Sequence, residues 1–202
     1  TARFYDVDLE SAPIKPQLIS KVVMEVCDED VIISCGAGNH TQYAHQMKIR
    51  KPYGYILPAG TGSMAFALAA GIGAKLARPD RQVIVPIGDG DFGMMTQELE
   101  TSVRENAPVV VLVYNDQGFG ALRLFQKVQH QGRYLGSDYG QTDLAMLARA
   151  YGAIGERIEN PADLKPALER ALKADVTTVL DIRTDPWQSH YRAEEFKDFH
   201  MF

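Results

Sequence analysis

The sequence predicts a doubly wound α/β fold, a mostly parallel six-stranded sheet with helices on both faces. Three observations carry that prediction. First, the apolar run Val83-Ile84-Val85-Pro86-Ile87 ends abruptly in Gly88-Asp89-Gly90-Asp91-Phe92-Gly93. Second, Val109 to Tyr114 ends the same way in Asn115-Asp116-Gln117-Gly118-Phe119-Gly120. Such runs read as buried strands of a parallel sheet, with polar ends at its carboxyl edge. Third, the stretch between them, Met95 to Asn106, sets Leu99 and Val103 four apart among Gln97, Glu98, Glu100, Arg104 and Glu105, a helical spacing. Strand, crossover helix and strand then alternate along the rest of the chain, the pattern of a layered α/β domain.

Taken in order, Thr1 to Pro13 has no clear period and reads as an arm. Residues 14–185 read as one domain, and 186–202 as a tail. From Pro16 to Cys27, apolar Leu18, Ile19, Val22, Val23 and Val26 recur at helical spacing behind a proline suited to the first turn. Asp28-Glu29-Asp30 ends that helix, and Val31 to Cys35 is a short buried strand running into Gly36-Ala37-Gly38-Asn39-His40. A helix over Thr41 to Met47 follows, its amino terminus able to face an anion. Tyr55-Ile56-Leu57 is a brief extended piece. Pro58 to Phe66 then opens a small-residue helix through Leu76, built for close approach to the sheet. Pro86 is awkward in a central strand, because it removes a ladder donor. Either the regular pairing ends near Val85, or the missing N–H faces an unpaired position.

Beyond Gly120 a helix begins, and His130 to Gln141 is a polar, glycine-punctuated loop. Asp143 to Tyr151 is an amphipathic helix closed by Gly152. Ala153 to Ile158 and Thr177 to Ile182 are strands, separated by a helix from Pro161 to Lys173 with Asn160 as its N-cap. In the tail, Trp187, Tyr191, Phe196, Phe199 and Phe202 could cover a binding site, pack on a partner, or pack on their own domain.

A chain of 202 residues suffices for one sizeable core. Its net charge of −5, with no basic cluster, speaks against nucleic-acid binding. Cys27 and Cys35 are the only cysteines and lie in apolar stretches, so both are expected reduced and structural. No apolar run reaches membrane-spanning length and no signal peptide is recognisable, so a cytoplasmic protein without membrane contact is expected.

Asp89 and Asp116 stand 27 positions apart at the tips of strands expected to be neighbours, where open α/β sheets bind ligands. Two oxygen-bearing side chains at a glycine-lined crevice suit a hard cation holding a phosphate. Mg²⁺ takes one or two carboxylates plus phosphate oxygens, and glycines let backbone groups approach the anion. Gly-Asp-Gly or Asn-Asp alone is an ordinary turn former after a strand. Their pairing across a βαβ unit is what defines a site. A nicotinamide- or nucleotide-binding domain is set aside, since there is no Walker pattern and no Gly-x-Gly-x-x-Gly is expected to open a helix.

Gly88-Asp89-Gly90, followed after the crossover by Asn115-Asp116, resembles the cofactor motif of thiamine diphosphate enzymes. More narrowly, it resembles the diphosphate-binding domain of the acetolactate synthase, pyruvate decarboxylase and benzoylformate decarboxylase group. The resemblance runs from about Ile14 to Asp185. It implies that Asp89, Asp116 and the carbonyl of Gly118 bind Mg²⁺, with Asp116 standing where asparagine is usual. Gly38-Asn39-His40 resembles the group's Gly-Gln-His segment, which makes Asn39 and His40 diphosphate contacts. Gly62-Ser63-Met64 matches a Gly-x-hydrophobic pattern in which the glycine carbonyl meets the pyrimidine amino group and the hydrophobic residue holds the cofactor bent. Gly88, Gly90, Asp91 and Phe119 complete the cofactor contacts. Asp91 stands where the group has a small residue, leaving an unexplained negative charge beside an anion.

The cofactors so implied are thiamine diphosphate and Mg²⁺, and the reaction is decarboxylation of a 2-oxo acid, carboligation, or both. No residue of this chain matches the group's activating glutamate, which lies on a pyrimidine-binding domain. The resemblance therefore implies a split enzyme whose partner chain supplies that glutamate, as a dimer of heterodimers. A 2-hydroxyacyl-CoA lyase, a sulfopyruvate-type decarboxylase and a non-catalytic cofactor-binding module are the other readings.

Overall fold

In the computed structural model, which describes residues 5–138 and 140–189, one parallel six-stranded sheet organises the chain. Its strands are β1 (Ile32–Ser34), β2 (Tyr55–Ile56), β3 (Val83–Gly88), β4 (Val110–Asn115), β5 (Ile154–Ile158) and β6 (Thr178–Arg183), in spatial order β2-β1-β3-β4-β6-β5. All five strand pairings are parallel. Winding out from β1 in one direction and from β3 in the other makes the junction of these two strands a topological switch point, with a crevice beyond their carboxyl ends.

Helices cover both faces, as period-2 alternation in buried strands requires. On one face Ile84, Leu112, Tyr114, Leu180 and Ile182 pack with α1 (Pro16–Val26) and α8 (Pro161–Ala171). On the other, Val85, Ile87, Val111, Val113 and Val179 meet α3 (Ala67–Ala77), α5 (Glu98–Arg104) and α7 (Leu144–Ala150). β4 is buried along its whole length. Each fully buried aliphatic side chain there contributes roughly 1.5–3 kcal/mol of transfer free energy.

Pro86 stays inside the strand. β3 pairs with β4 from Ile84↔Val110 to Gly88↔Tyr114, and the Pro86 carbonyl accepts from Gly36 N–H at 3.0 Å. In a parallel strand one residue turns both backbone groups to the same neighbour, so the missing N–H faces β1. The β1–β3 register ends two residues earlier, at Ile33↔Ile84. Of the two expectations for Pro86, the second holds.

Helix limits depart from expectation, and one short helix is new. The helix expected over Thr41 to Met47 is the single turn α2 (Thr41–Ala44), because Gln46 and Met47 donate three residues back and tighten the chain. That one turn is no anion-binding helix terminus. The small-residue helix begins only at Ala67, since Gly62 at φ 62° and Ala65 at φ 58° are left-handed and break it. Gly62-Ser63-Met64 is therefore loop. A one-turn helix, α4 (Asp89–Gly93), follows β3 directly. Gly88, Gly90 and Gly93 do hold the Gly-x-Gly-x-x-Gly spacing at its start, contrary to the sequence reading. The helix they open is too short for the full βαβ helix that the dinucleotide fingerprint needs.

Asn160 caps α8 as expected, its Oδ1 accepting from Ala162 N–H at 3.0 Å. Cys27 and Cys35 are free thiols, and burial pushes both up, to about 12 and about 11. Ile14 bridges Thr184 just beyond the carboxyl end of β6. Trp187 packs beside Tyr134, with Lys127 Nζ 5.1 Å from its ring centre on α6 (Gly120–Gln129). Tyr191, Phe196, Phe199 and Phe202 lie outside the described residues. Among the described residues no helix is long and apolar enough to cross a membrane.

Candidate active site

A cavity of about 340 Å³ opens at the carboxyl ends of β1, β3 and β4. Its walls include Asn39 and His40 after β1, Gly62 and Met64 before α3, Gly88 to Asp91 after β3, and Asp116 and Gly118 to Gly120 after β4. Four separate segments thus meet there, and of the twelve sequence-predicted residues only Ser63 does not line the cavity. Its hydroxyl pairs with Thr61 Oγ1 at 2.7 Å on the exposed side of the loop.

The β3–β4 register brings Asp89 level with the end of β4, so Asp116 stands just beyond it. Asp89 is 3% exposed; its Oδ1 accepts from Gly90 N–H at 2.9 Å and its Oδ2 from Gly118 N–H at 3.0 Å. Burial lifts its carboxyl to about 6, against the pull of those backbone donors. Burial first, and the charge of Asp89 second, lift Asp116 to about 7, with Arg123 opposing. Asp116 Oδ1 is buried and accepts no hydrogen bond. Two buried carboxylates, the charge of one raising the proton affinity of the other, which has an orphaned oxygen, are a donor set that fits a hard cation. Among the described residues no three His, Cys, Asp or Glu side chains cluster as a metal site by themselves. The fit therefore needs carbonyl and ligand oxygens besides.

His40 is buried and makes no helix-capping bond, and its Nε2 has no hydrogen-bond partner. Burial holds the imidazole neutral, its pKa lowered to about 3. Asn39 Oδ1 accepts from Gln42, and its amide reaches the Gln188 carbonyl at 3.4 Å. The Asp91 carboxylate, at the cavity wall, has main-chain partners. It is 2% exposed and accepts from Ala37 N–H at 2.9 Å and Ala65 N–H at 2.6 Å. These two donors account for the charge that the sequence left unexplained. Phe119 N–H donates to the Ser137 carbonyl at 2.7 Å, fixing the loop 137–138 against the β4 tip.

Several supporting contacts had no sequence signal. Arg123 is buried, sits 3.4 Å from Asp116 Oδ2 and donates to Asp138 Oδ1 at 2.8 Å. Asn115, first of the Asn-Asp pair, holds the turn: its Oδ1 accepts from Gln117 N–H and from Arg183, and its amide donates to Asp181 at 2.6 Å. Asp181 is fully buried and also pairs with Arg157 at 3.2 Å. Gln117 is thereby kept at φ 62°. Only the acidic residue amid the apolar run Thr178 to Ile182 hinted at this network.

Residues 36–182 match the family described as thiamine pyrophosphate enzyme, C-terminal TPP binding domain. The chain belongs to that family, and its cofactor is thiamine diphosphate. It is 35% identical over 187 residues to a probable acetolactate synthase large subunit of Methanococcus aeolicus, covering 89% of this chain and 31% of that protein. An acetolactate synthase of Bacillus subtilis (strain 168) is 30% identical over 179 residues, covering 88% and 31%. The solved Rhodococcus jostii RHA1 thiamine diphosphate-dependent 4-hydroxybenzoylformate decarboxylase superposes with a TM-score of 0.82 at 32% identity, covering 89% of this chain and 34% of that one. The chain spans about a third of the length of the curated relatives it matches.

Proposed function

We propose that this chain supplies the diphosphate- and Mg²⁺-binding half of an acetolactate synthase-like enzyme that decarboxylates a 2-oxo acid, carboligates, or both. The observation that carries this is the pair Asp89 and Asp116 on adjacent strand tips in one cavity, with Asp116 Oδ1 unpartnered. Asp89, Asp116 and the Gly118 carbonyl hold Mg²⁺, whose remaining positions suit diphosphate oxygens. Asn39 and the neutral His40 contact the diphosphate, with Gly88 and Gly90 beside it. The Gly62 carbonyl and Met64 seat the pyrimidine side, and Phe119 closes the β4 side. Bound, thiamine diphosphate supplies a carbon nucleophile and an electron sink next to a substrate carbonyl. The chain's own residues bind and orient the cofactor and hold the metal charge in place.

In our reading the activating glutamate comes from a pyrimidine-binding domain on a partner subunit of a cytoplasmic hetero-oligomer, facing the cavity that Asp89 and Asp116 line. Calorimetric titration with thiamine diphosphate and Mg²⁺ tests the site: wild type binds and Asp89→Ala does not. Unchanged affinity in Asp89→Ala removes Asp89 from the site. Turnover trials with pyruvate and 4-hydroxybenzoylformate test the partner. The chain alone is expected to be inactive, and turnover at normal enzymatic rates without a partner overturns that part.

A further inference from the structure

We propose that Asp91 is a positioning residue, a strut that sets the separation of the two loops walling the cavity. This rests on the cofactor reading above and assigns a residue that acts through those loops. The two oxygens of its one carboxylate accept from two main-chain N–H groups far apart in sequence, Ala37 at 2.9 Å and Ala65 at 2.6 Å. Ala37 leads directly into Gly38-Asn39-His40, and Ala65 directly follows Gly62-Ser63-Met64. The carboxylate is rigid and planar, so the two N–H groups are held at a fixed span. A buried carboxylate is costly unless its oxygens are hydrogen-bonded, and charge-assisted bonds of this kind are the strong ones.

Two neighbouring features are shaped to this strut. Ala65 is left-handed at φ 58°, a conformation that a residue with a β-carbon keeps only where its surroundings over-determine it. A β-carbon on Gly36 would overlap Asp91 Oδ2, so glycine is needed there to let the carboxylate reach Ala37. Three positions from three segments therefore fit one another. A ligand that touches both loops depends on their separation, whereas one that touches only the diphosphate side does not. Asp91→Asn leaves a single acceptor oxygen and turns an amide N–H toward a backbone N–H. Asp91→Ser, which reaches only one of the two amides, serves as a second variant should the first misfold.

The test uses the full chain with Mg²⁺, titrated calorimetrically with thiamine diphosphate and separately with inorganic pyrophosphate, alongside amide hydrogen exchange at Ala37 and Ala65. In the variant we expect faster exchange at one or both amides. Thiamine diphosphate affinity should fall about tenfold, the size of one lost charge-assisted hydrogen bond. Pyrophosphate affinity should change less than about threefold. A lower melting temperature with both affinities unchanged would make Asp91 merely structural and overturn the proposal, as would equal loss for both ligands. If wild type binds neither ligand, the cofactor reading fails; the strut then stands or falls on exchange, and unchanged protection at both amides sinks it.

Discussion

At the scale of single residues, the protonation states of the cavity carry opposite pH signatures. His40 is held neutral to about 3, far below the ordinary imidazole value. The unfolded chain therefore binds a proton that the native one refuses, so this group's stabilising contribution is present above the ordinary value and is lost as pH falls toward about 3. Wild type should lose stability faster than His40→Gln between pH about 7 and about 4, by at most about 1.4 kcal/mol per pH unit. Denaturant melts at each pH check this, and parallel curves refute it. Asp89 and Asp116 run the other way, since burial raises their folded values to about 6 and about 7. Their contribution is present below the ordinary carboxylate range and lost as pH rises through about 6 to about 7. In Mg²⁺-free buffer, Asp116→Asn should be more stable than wild type near pH 8, about the same near pH 4. Thermal melts of the two proteins across that range decide it.

At the scale of elements, close approach decides which pieces pack. α7 lies so near β5 that a β-carbon on Gly155 would overlap the Ala145 carbonyl. Backbone cannot yield as a side-chain tip does, so Gly155→Ala should destabilise the fold by about 3 kcal/mol while leaving cofactor affinity of the folded protein unchanged. Chemical denaturation beside calorimetry separates the two. Helix limits were the least legible part of the sequence, for the same kind of reason. Pro58 to Phe66 is rich in small residues compatible with helix, yet Gly62 and Ala65 turn left-handed there. What holds Ala65 is Asp91, 26 positions away, and no local window contains it.

Over the whole molecule, binding and folding are one equilibrium. A ligand present at a hundred times its Kd adds about 2.7 kcal/mol, which for a chain of this size raises Tm by roughly 5–10 °C. Thiamine diphosphate with Mg²⁺ should produce such a rise in wild type and none in Asp89→Ala, read by differential scanning calorimetry. An equal rise in both would place the cation elsewhere. The doubly wound sheet makes this coupling local. Both cores lie against the middle of β3 and β4, and the cavity sits past the carboxyl ends of those strands.

The sequence by itself determined the layer architecture and the strand tips, because alternation, burial and turn chemistry are properties of short windows; of the twelve site residues expected, most of them through the family resemblance, eleven line the cavity. It also carried the Gly-Asp-Gly and Asn-Asp pair, whose chemistry is written in the residue types themselves. The tertiary structure alone decided that Ser63 turns away, that Arg123 and Asp138 brace Asp116, that Asp181 and Arg183 hold Asn115, and that Asp91 joins two loops. Each of these is a contact between side chain or backbone groups brought together only by folding, and such pairings leave no period in a sequence.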